Sequence, residues 1–286
     1  MKTFVHFVNV TVSARMAKNL PVAAIPIPDP TGLVDMRGPS PVRAGTFAYE
    51  GDDLVTGWHH HDLHQVEYAF EGVAEVETAA GHYLLPPQQA IWIPAGLRHQ
   101  TRLSGVRSVS VFFAADMVPV AHDRARVLAA TPVAREMIVY AARWPISRPA
   151  SDPVADAFFE ALALLLPEWL DQELPLSLPV ATDPVASAVV EFTHANLARV
   201  READVCRAVG VSTRTLRRRF PEATGMTWRA YLVQSRLLRA MTMLAEPGPS
   251  ILEVATAVGF ESVSAFTRAF RKATGETPSA YRRRRA

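Results

Sequence analysis

The sequence has one cysteine, no low-complexity tract and no apolar run of membrane-spanning length. The lone Cys206 excludes an intrachain disulfide framework and predicts a protein of the reducing cytoplasm. Its helix-periodic apolar neighbours favour a small buried side chain over a reactive thiol.

The longest apolar stretch, residues 157–170, is interrupted by Glu160 and Pro167. It is shorter than the roughly 18 residues of a membrane span, so it predicts an amphipathic or buried helix and no membrane partner. Residues 1–20 lack the sustained apolar segment of a secretory signal.

Charge is distributed unevenly along the 286 residues. From Asp183 to the end there are 17 Lys and Arg against 9 Asp and Glu, whereas the preceding residues hold 13 and 19. A basic third joined to an acidic front is typical of nucleic-acid-binding proteins. Charge alone also allows a solvated basic face, so the placement of these charges on structure has to decide.

The hydrophobic pattern divides the chain. Short runs rich in Val, Phe, Tyr and Trp up to about residue 115 predict a β-barrel or sandwich, and from Asp116 the period becomes helical. A Pro-containing break around 174–184 predicts an interdomain linker. The predicted parts are an N-terminal extension (1–24), a β-rich domain (25–120), a helical segment with linker (121–182) and a basic helical domain (183–286).

The basic third contains an internal repeat, in which residues 205–231 match residues 254–281. Val205, Ala208, Val209 and Gly210 recur 49 positions later, and Phe220, Ala223, Thr224, Gly225, Thr227, Ala230 and Tyr231 recur 50 positions later. Each copy predicts a helix, a tight turn at glycine and a second helix that Ser212 or Ser262 can N-cap. The repeat therefore predicts a helix-turn-helix unit that is present twice.

The second helix of each unit carries the side chains that would meet DNA. In the first unit Leu216 and Phe220 occupy the core positions, which leaves three arginines on the outward face. Arginine can bind a guanine edge with two hydrogen bonds, and hydroxyls reach bases and phosphates. The second unit is less basic on this face, so we expect the first half of the DNA site to be read with more discrimination. The predicted DNA-contacting residues are Ser212, Thr213, Arg214, Arg217, Arg218, Ser262, Ser264, Thr267, Arg268, Arg271 and Lys272.

The last hundred residues resemble the DNA-binding domain of the AraC/XylS-type transcription regulators. That domain has two helix-turn-helix units joined by a long helix, here 228–244, and the second unit carries its most recognisable pattern as EVATAVGFESVSAFTRAFRKATGETPSAYR. The resemblance implies double-stranded promoter DNA as partner, with the two second helices about one helical turn apart. It also implies a homodimer, formed through residues 124–170, and contact with RNA polymerase where such a protein activates.

The front of the chain contains four histidines in GWHHHDLHQVE. His59-x-His61, followed by Gln65 and Gly72, and Pro94-Ala-Gly-x-x-His99 resemble the two motifs of the cupin barrel, as found in sensor domains of AraC-type regulators. The implied fold class is α+β with two domains. These are an N-terminal cupin-like β-barrel with linking helices and a C-terminal all-α double helix-turn-helix domain.

In a metal-binding cupin, His59, His61 and His99 would join a carboxylate around a divalent transition metal such as Fe, Mn, Ni, Cu or Zn. Here the carboxylate position is occupied by Gln65, and Leu103 stands where the second motif has an asparagine. The four residues His59, His61, Gln65 and His99 are therefore predicted to bind either a metal or an effector. The alternative to a metal is a hydrogen-bonded polar floor under an organic ligand.

Two further residues are predicted to belong to an effector pocket, Glu67 and Trp92. Strand alternation places Glu67 on the same face as Gln65, one pleat further along. His60 and His64 fall outside the motif spacing and are weaker candidates.

The combined features favour a DNA-binding transcription regulator over an enzyme. Its cupin domain would sense a small molecule or a metal and control promoter binding. One alternative is a metal-dependent cupin oxygenase or isomerase fused to a DNA-binding domain, which the neutral Gln65 disfavours. Another is a DNA-architectural protein without an effector, which leaves the histidines unexplained.

Overall fold

The structure is a computed structural model that describes residues 28–283 except 52–53, 86–88, 119–122, 129, 175, 182 and 246–247. The predicted N-terminal extension, 1–24, lies outside the described residues. No helix in the described part of the chain has the length and apolar character needed to cross a membrane.

The front of the described chain forms one eight-stranded sheet in which all pairings are antiparallel. The strands are β1 (Ala44–Gly51), β2 (Leu54–Val55), β3 (Leu63–Thr78), β4 (Gly81–Leu85), β5 (Ala90–Ile93), β6 (His99–Ala114), β7 (Arg126–Leu128) and β8 (Ser177–Pro179). The main order is β1-β6-β3-β4-β8, with β2 beside β6 and β5 between β3 and β7. The predicted α+β fold, with a β-rich front and a helical C-terminal domain, is confirmed, and the strand pairings of the described residues form an open sheet rather than a closed barrel.

The two faces of the sheet have different surroundings. On β3, Val66 and Tyr68 are buried in the apolar layer between the sheet and two helices. The alternate residues Gln65 and Glu67 line a cavity on the other face. This is the alternation that the sequence predicts for a strand covered on both sides.

Two helices cover the apolar face of the sheet. They are α1 (Pro132–Ala141) and α2 (Pro153–Leu170), N-capped by Thr131 and Asp152. Helix α2 buries Phe159 and Leu166 against the sheet, which confirms that the apolar run 157–170 belongs to a packed helix.

Two segments predicted as helix or linker are strands instead. Residues 126–128 form β7 and pair with β5, and residues 177–179 form β8 and pair with β4. Each strand has only three residues, which is too short for a period of two to be distinguished from a period of 3.6. Their conformation is set by the edges of the sheet that they join, and these edges are remote in sequence.

The C-terminal part is all helical within the described residues. Its helices are α3 (Pro184–Ala195), α4 (Glu202–Val209), α5 (Thr213–Thr224), α6 (Trp228–Ala245), α7 (Ile251–Ala257), α8 (Val263–Thr274) and α9 (Pro278–Arg283). Helices α4 and α5 form the first unit, α7 and α8 the second, and α6 joins them. The predicted connecting helix 228–244 is confirmed to within one residue.

The repeat predicts the packing of both units correctly. Ser212 accepts the N–H of Thr215 at 3.1 Å and Ser262 accepts that of Ala265 at 3.2 Å, so both predicted N-caps form. The core side chains correspond in pairs and are buried, namely Val205 with Val254, Leu216 with Phe266 and Phe220 with Phe270. Cys206 is buried as predicted.

The helical domain contacts the sheet through β8. Leu176 and Leu178 are buried in an apolar cluster that includes side chains of both the sheet and the helical domain. The Gln234 side chain on α6 donates a hydrogen bond to the Ser177 carbonyl. Strand β8, which lies within the predicted linker, therefore touches both domains.

Candidate functional sites

Backbone hydrogen bonds bring the two histidine motifs together. The backbone N–H of His59 donates to the carbonyl of His99 at 2.8 Å, and the N–H of His99 donates to the carbonyl of His59 at the same distance. The N–H of Gly96, in the turn of the second motif, donates to the His61 carbonyl at 2.8 Å. Gly96 has φ of +78°, a conformation that glycine adopts without strain. Backbone hydrogen bonds thus hold together the two motifs whose spacing predicts a common site.

The cavity on this face has a volume of about 70 Å³. Its polar lining includes all four predicted effector or metal residues and Glu67, and its wall includes aromatic and aliphatic side chains. The lining residues are Val34, Met36, Phe47, Tyr49, Thr56, His59, His61, Gln65, Glu67, His99, Thr101, Leu103, Ser108, Ser110 and Phe112. A volume of this size exceeds what a single water molecule needs, so the cavity suits a small ligand.

Each of the three cavity histidines uses Nδ1 to contact a backbone carbonyl. The distances are 2.9 Å from His59 to Gly57, 2.6 Å from His61 to Leu63 and 2.8 Å from His99 to Leu97. A carbonyl only accepts, so Nδ1 carries the proton and a neutral ring presents the lone pair of Nε2. The backbone therefore fixes the same tautomer, with the proton on Nδ1, in all three histidines.

Burial keeps these imidazoles neutral near pH 7. Desolvation lowers the pKa of His59 and of His61 from the usual value. It lowers the pKa of His99 to about 3, and the neighbouring His59 and His61 add to this shift. The histidine cluster is accordingly uncharged at physiological pH.

The Nε2 atoms differ in what they can still bind. His61 Nε2 lies 3.0 Å from the Gln65 side-chain amide, which in turn lies 2.9 Å from the Ser110 hydroxyl. In the structure the amide oxygen Oε1 faces His61 Nε2, and the amide nitrogen donates to the Ser110 hydroxyl. Because a neutral His61 with its proton on Nδ1 can only accept at Nε2, we assign the amide the exchanged orientation, in which its NH₂ donates to His61 and the hydroxyl donates to its oxygen. Among the described residues none donates to Nε2 of His59 or His99. These two nitrogens can therefore accept hydrogen bonds from a ligand in the cavity.

Among the described residues that line the cavity, Glu67 is the one with a carboxyl group. It is 4% exposed, and its burial raises the pKa to about 7, partly opposed by a hydrogen bond with Ser108. At slightly acidic pH it is therefore a neutral acid that can donate a hydrogen bond.

The prediction that Trp92 belongs to the effector pocket is wrong. Trp92 pairs with Val66 across β5 and β3, and its ring is fully buried on the opposite face of the sheet, in the layer under α1 and α2. It packs against His64, with ring centroids 4.6 Å apart. His64 accepts the N–H of Ala95 and donates to the Ala115 carbonyl, so its role is structural.

A metal does not fit the donors as they are arranged. Across the described residues no three His, Cys, Asp or Glu side chains are placed so as to hold a metal ion. His61 Nε2 is occupied by the Gln65 amide, and burial favours the uncharged form of Glu67. The arrangement matches the hydrogen-bonded polar floor more closely than a metal centre.

The predicted DNA-contacting side chains form an exposed surface on α5 and α8, here called the DNA-reading surface. Ten of these eleven residues are exposed, and Thr267 is half-buried. Arg214, Arg268 and Arg271 form no ion pair with a carboxylate of the described chain. Lys272 differs from the rest, because it lines a crevice with Ala269 and Ala273 on the side of α8 that faces α6.

Two of the predicted reading arginines are already paired. Arg217 makes two hydrogen bonds with Glu202 at the first residue of α4. Arg218 lies 3.5 Å from Glu222, one turn along its own helix. Sequence reasoning missed Glu202, and the only available signal was an acidic residue fifteen positions before an arginine across a helix turn.

A third arginine of α5 has a packing role. Arg219 donates to Asp183 at 2.6 Å, and Asp183 also N-caps α3 by accepting the N–H of Ala186. The pair therefore ties the first unit to the preceding helix and does not belong to the DNA-reading surface.

Two protein-family models match separate parts of the chain. A model described as AraC-like ligand binding domain matches residues 43–173, and one described as helix-turn-helix domain matches residues 205–284. The first covers the sheet up to β7 with α1 and α2, and the second covers both helix-turn-helix units.

Curated relatives agree with this assignment. The HTH-type transcriptional regulator NimR of Escherichia coli K12 is 27% identical over 243 residues, which is 84% of this chain and 85% of NimR. The HTH-type transcriptional activator RhaR of Pectobacterium atrosepticum is 44% identical over 79 residues, 28% of each chain. ToxT of Vibrio cholerae, a solved structure, covers 84% of this chain and 98% of its own at 15% identity, but its TM-score of 0.35 is too low to add to the assignment.

The two matches place an AraC-like ligand-binding domain ahead of a helix-turn-helix domain in the same chain. The similarity to NimR covers 84% of the chain and therefore reaches into both domains. The chain belongs to the AraC family of transcription regulators.

Proposed function

We propose that this regulator binds a small organic effector in the cavity of its sheet and that the effector controls how the DNA-reading surface engages a promoter. The observation that carries the proposal is the cavity floor, in which the neutral His59 and His99 present free Nε2 acceptors beside the buried carboxyl group of Glu67. Such a floor suits a small molecule that carries N–H or O–H donors and has an apolar side for Phe47 and Phe112.

The Gln65 amide supports an effector site over a metal-dependent enzyme. It replaces the carboxylate ligand with a neutral group and satisfies His61 internally. The relatives are transcriptional regulators as well. A regulator that works on DNA also fits the proposed cytoplasmic location and, for an activator, contact with RNA polymerase.

The proposed dimer interface lies on α1 and α2. Val133, Val154 and Leu164 are 62%, 65% and 78% exposed, which leaves apolar side chains of both helices in contact with solvent. Packing these side chains against a second copy would remove them from water. We propose a homodimer through this face, with one DNA-reading surface in each subunit.

A screen of the full-length protein tests the effector proposal. Small organic fragments are tested for thermal stabilisation, with ZnCl₂ and NiCl₂ as metal probes. A fragment at a hundred times its Kd is expected to stabilise the protein by about 2.7 kcal/mol. The stabilisation should vanish in His99→Ala and persist in His60→Ala, whose side chain lies outside the cavity lining.

The same fragment is expected to change the Kd for a selected DNA duplex at least about fivefold, which is the lower end of typical coupling between two sites. Because such coupling is reciprocal, the DNA should change the Kd for the fragment by the same factor. Stabilisation by Zn²⁺ alone that disappears in His61→Ala would replace the organic effector with a metal. DNA affinity that ignores every cavity ligand would overturn the sensing role and favour an architectural protein.

A further inference from the structure

The ion pair between Arg217 and Glu202 joins the two helices of the first unit. Arg217 Nε lies 2.8 Å from Glu202 Oε1, and Nη2 lies 3.1 Å from Oε2. The arginine side chain is still 72% exposed, so the carboxylate holds it without covering it. We propose that Glu202 is a positioning residue that makes Arg217 a rigid guanine reader. This inference rests on the proposed DNA-binding function.

The geometry of the pair leaves the reading edge of the guanidinium free. Arginine has five N–H donors, and Glu202 takes one from Nε and one from Nη2 along the side of the group. The remaining edge, formed by Nη1 and the second N–H of Nη2, presents two parallel donors. This is the fork that binds O6 and N7 of guanine in the major groove.

Holding the arginine in advance improves discrimination. A free arginine side chain loses rotamer freedom when it binds, whereas one already fixed by two hydrogen bonds loses less. A fixed fork also adapts poorly to a base that offers a different pattern of donors and acceptors. The carboxylate further opposes close approach of phosphates, which weakens sequence-independent binding.

The position of Glu202 suits this role. It is the first residue of α4, where the partial positive charge of the helix N-terminus stabilises a carboxylate. The carboxylate is 31% exposed, so the pair sits at the surface and can meet DNA.

The second unit has no equivalent pair. The internal repeat aligns Glu202 with Ile251 and Arg217 with Thr267, so both partners are replaced. The arrangement therefore gives the first unit a constrained reader that the second lacks. It supplies a physical reason for the expectation that the first half of the DNA site is read with more discrimination.

The test uses the full-length protein and a DNA site selected from random duplexes. Relative affinities are then measured for all four bases at each position of the site, for wild type, Glu202→Ala, Glu202→Gln, Arg217→Ala and the double variant. We expect one position at which wild type prefers guanine by about tenfold. Arg217→Ala should lose this preference, and Glu202→Ala should reduce it to below about threefold.

Several readouts separate positioning from a merely structural role. Glu202→Gln keeps one acceptor oxygen and the start of the helix, so its preference should be intermediate. The double variant should be no less selective than Arg217→Ala. Glu222→Ala is the matched control, because Glu222 contacts Arg218 and not Arg217, and it should leave the guanine preference at the position read by Arg217 unchanged.

Two results would overturn the inference. One is that Glu202→Ala keeps the same preference for guanine as the wild type at every position of the site. The other is a uniform loss of affinity on all sequences in Arg217→Ala with a salt dependence reduced by about one unit, which identifies a phosphate contact. Failure of the wild-type protein to enrich any sequence would instead contradict the proposed function itself and the inference with it.

Discussion

Replacing Gly259 with alanine is expected to disrupt the second helix-turn-helix unit. Gly259 has φ of +90°, and a Cβ there would lie 2.1 Å from the Ala198 carbonyl oxygen and 2.8 Å from its carbon. These are backbone atoms of the turn before α4, and Arg236 crowds the same spot at 2.8 Å. The strained backbone and the overlap together should cost about 4 kcal/mol.

Gly210 is a matched control, because the repeat places it at the equivalent turn of the first unit. Its φ is +71°, but a Cβ there would meet no atom within 4 Å. Gly210→Ala should therefore cost only the strain of the left-handed conformation, about 1 kcal/mol.

Hydrogen exchange of the amides in α7 and α8 measures the difference. Gly259→Ala should accelerate this exchange about a thousandfold, while Gly210→Ala should change exchange in α4 and α5 about fivefold. Similar effects of both variants would contradict the close approach at Gly259.

The pair of glycines shows what the repeat could and could not predict. Matching positions predicted both turns, both N-caps and both small cores, because these depend on residues within one unit. The contact of Gly259 with Ala198 joins the second unit to the turn between α3 and α4. No comparison of the two copies could reveal it, since the first copy makes no such contact at Gly210.

In the sheet, too, features that depend on neighbouring residues are predicted correctly, and features that depend on residues remote in sequence are not. Gln65 and Glu67 were placed on one face by alternation along a single strand, and the structure agrees. Alternation cannot decide the face of Trp92, because all four residues of β5 are buried, and its neighbour Ile91 belongs to the cluster on the cavity side of the sheet. Which face a short buried strand turns to the cavity depends on its register with β3, here Gln65 opposite Ile93.

The chemistry of the cavity also depended on atoms that the motif does not specify. The spacing identified His59, His61 and His99, but their tautomers are set by carbonyls at Gly57, Leu63 and Leu97. A pattern of residue types contains no information on backbone carbonyl direction. It left a metal and a hydrogen-bonded floor as equal alternatives, and the side-chain contacts favour the second.

Glu67→Gln is expected to change how stability depends on pH. In the folded protein burial raises the pKa of Glu67 to about 7, from an ordinary value of 4.5. Between these values the unfolded chain loses the proton while the folded chain keeps it, so rising pH favours unfolding. The free energy of unfolding should fall by about 3 kcal/mol from pH 4.5 to pH 7 through this one group, and no further above pH 7. A glutamine at this position has no such dependence.

The histidines act in the opposite direction, and this makes the variant informative. The pKa of His99 is lowered to about 3 in the folded state, against 6.5 in the reference state. The unfolded chain therefore binds the extra proton between these values, and stability rises with pH up to 6.5. In wild type the two trends oppose each other between pH 4.5 and 6.5. In Glu67→Gln the histidine trend should appear alone, as a steady rise in stability over that range.

Urea unfolding of the full-length protein at several pH values measures the difference between the two curves. The advantage of Glu67→Gln over wild type should be near zero below pH 4.5 and reach about 3 kcal/mol at pH 8. Glu71→Gln, which removes a carboxylate that is 67% exposed on the same strand, should leave the curve parallel to wild type within about 1 kcal/mol. Parallel curves for wild type and Glu67→Gln would mean that the cavity already stabilises the ionised carboxylate. The floor would then carry a negative charge at pH 7, and a cationic effector would replace the uncharged one.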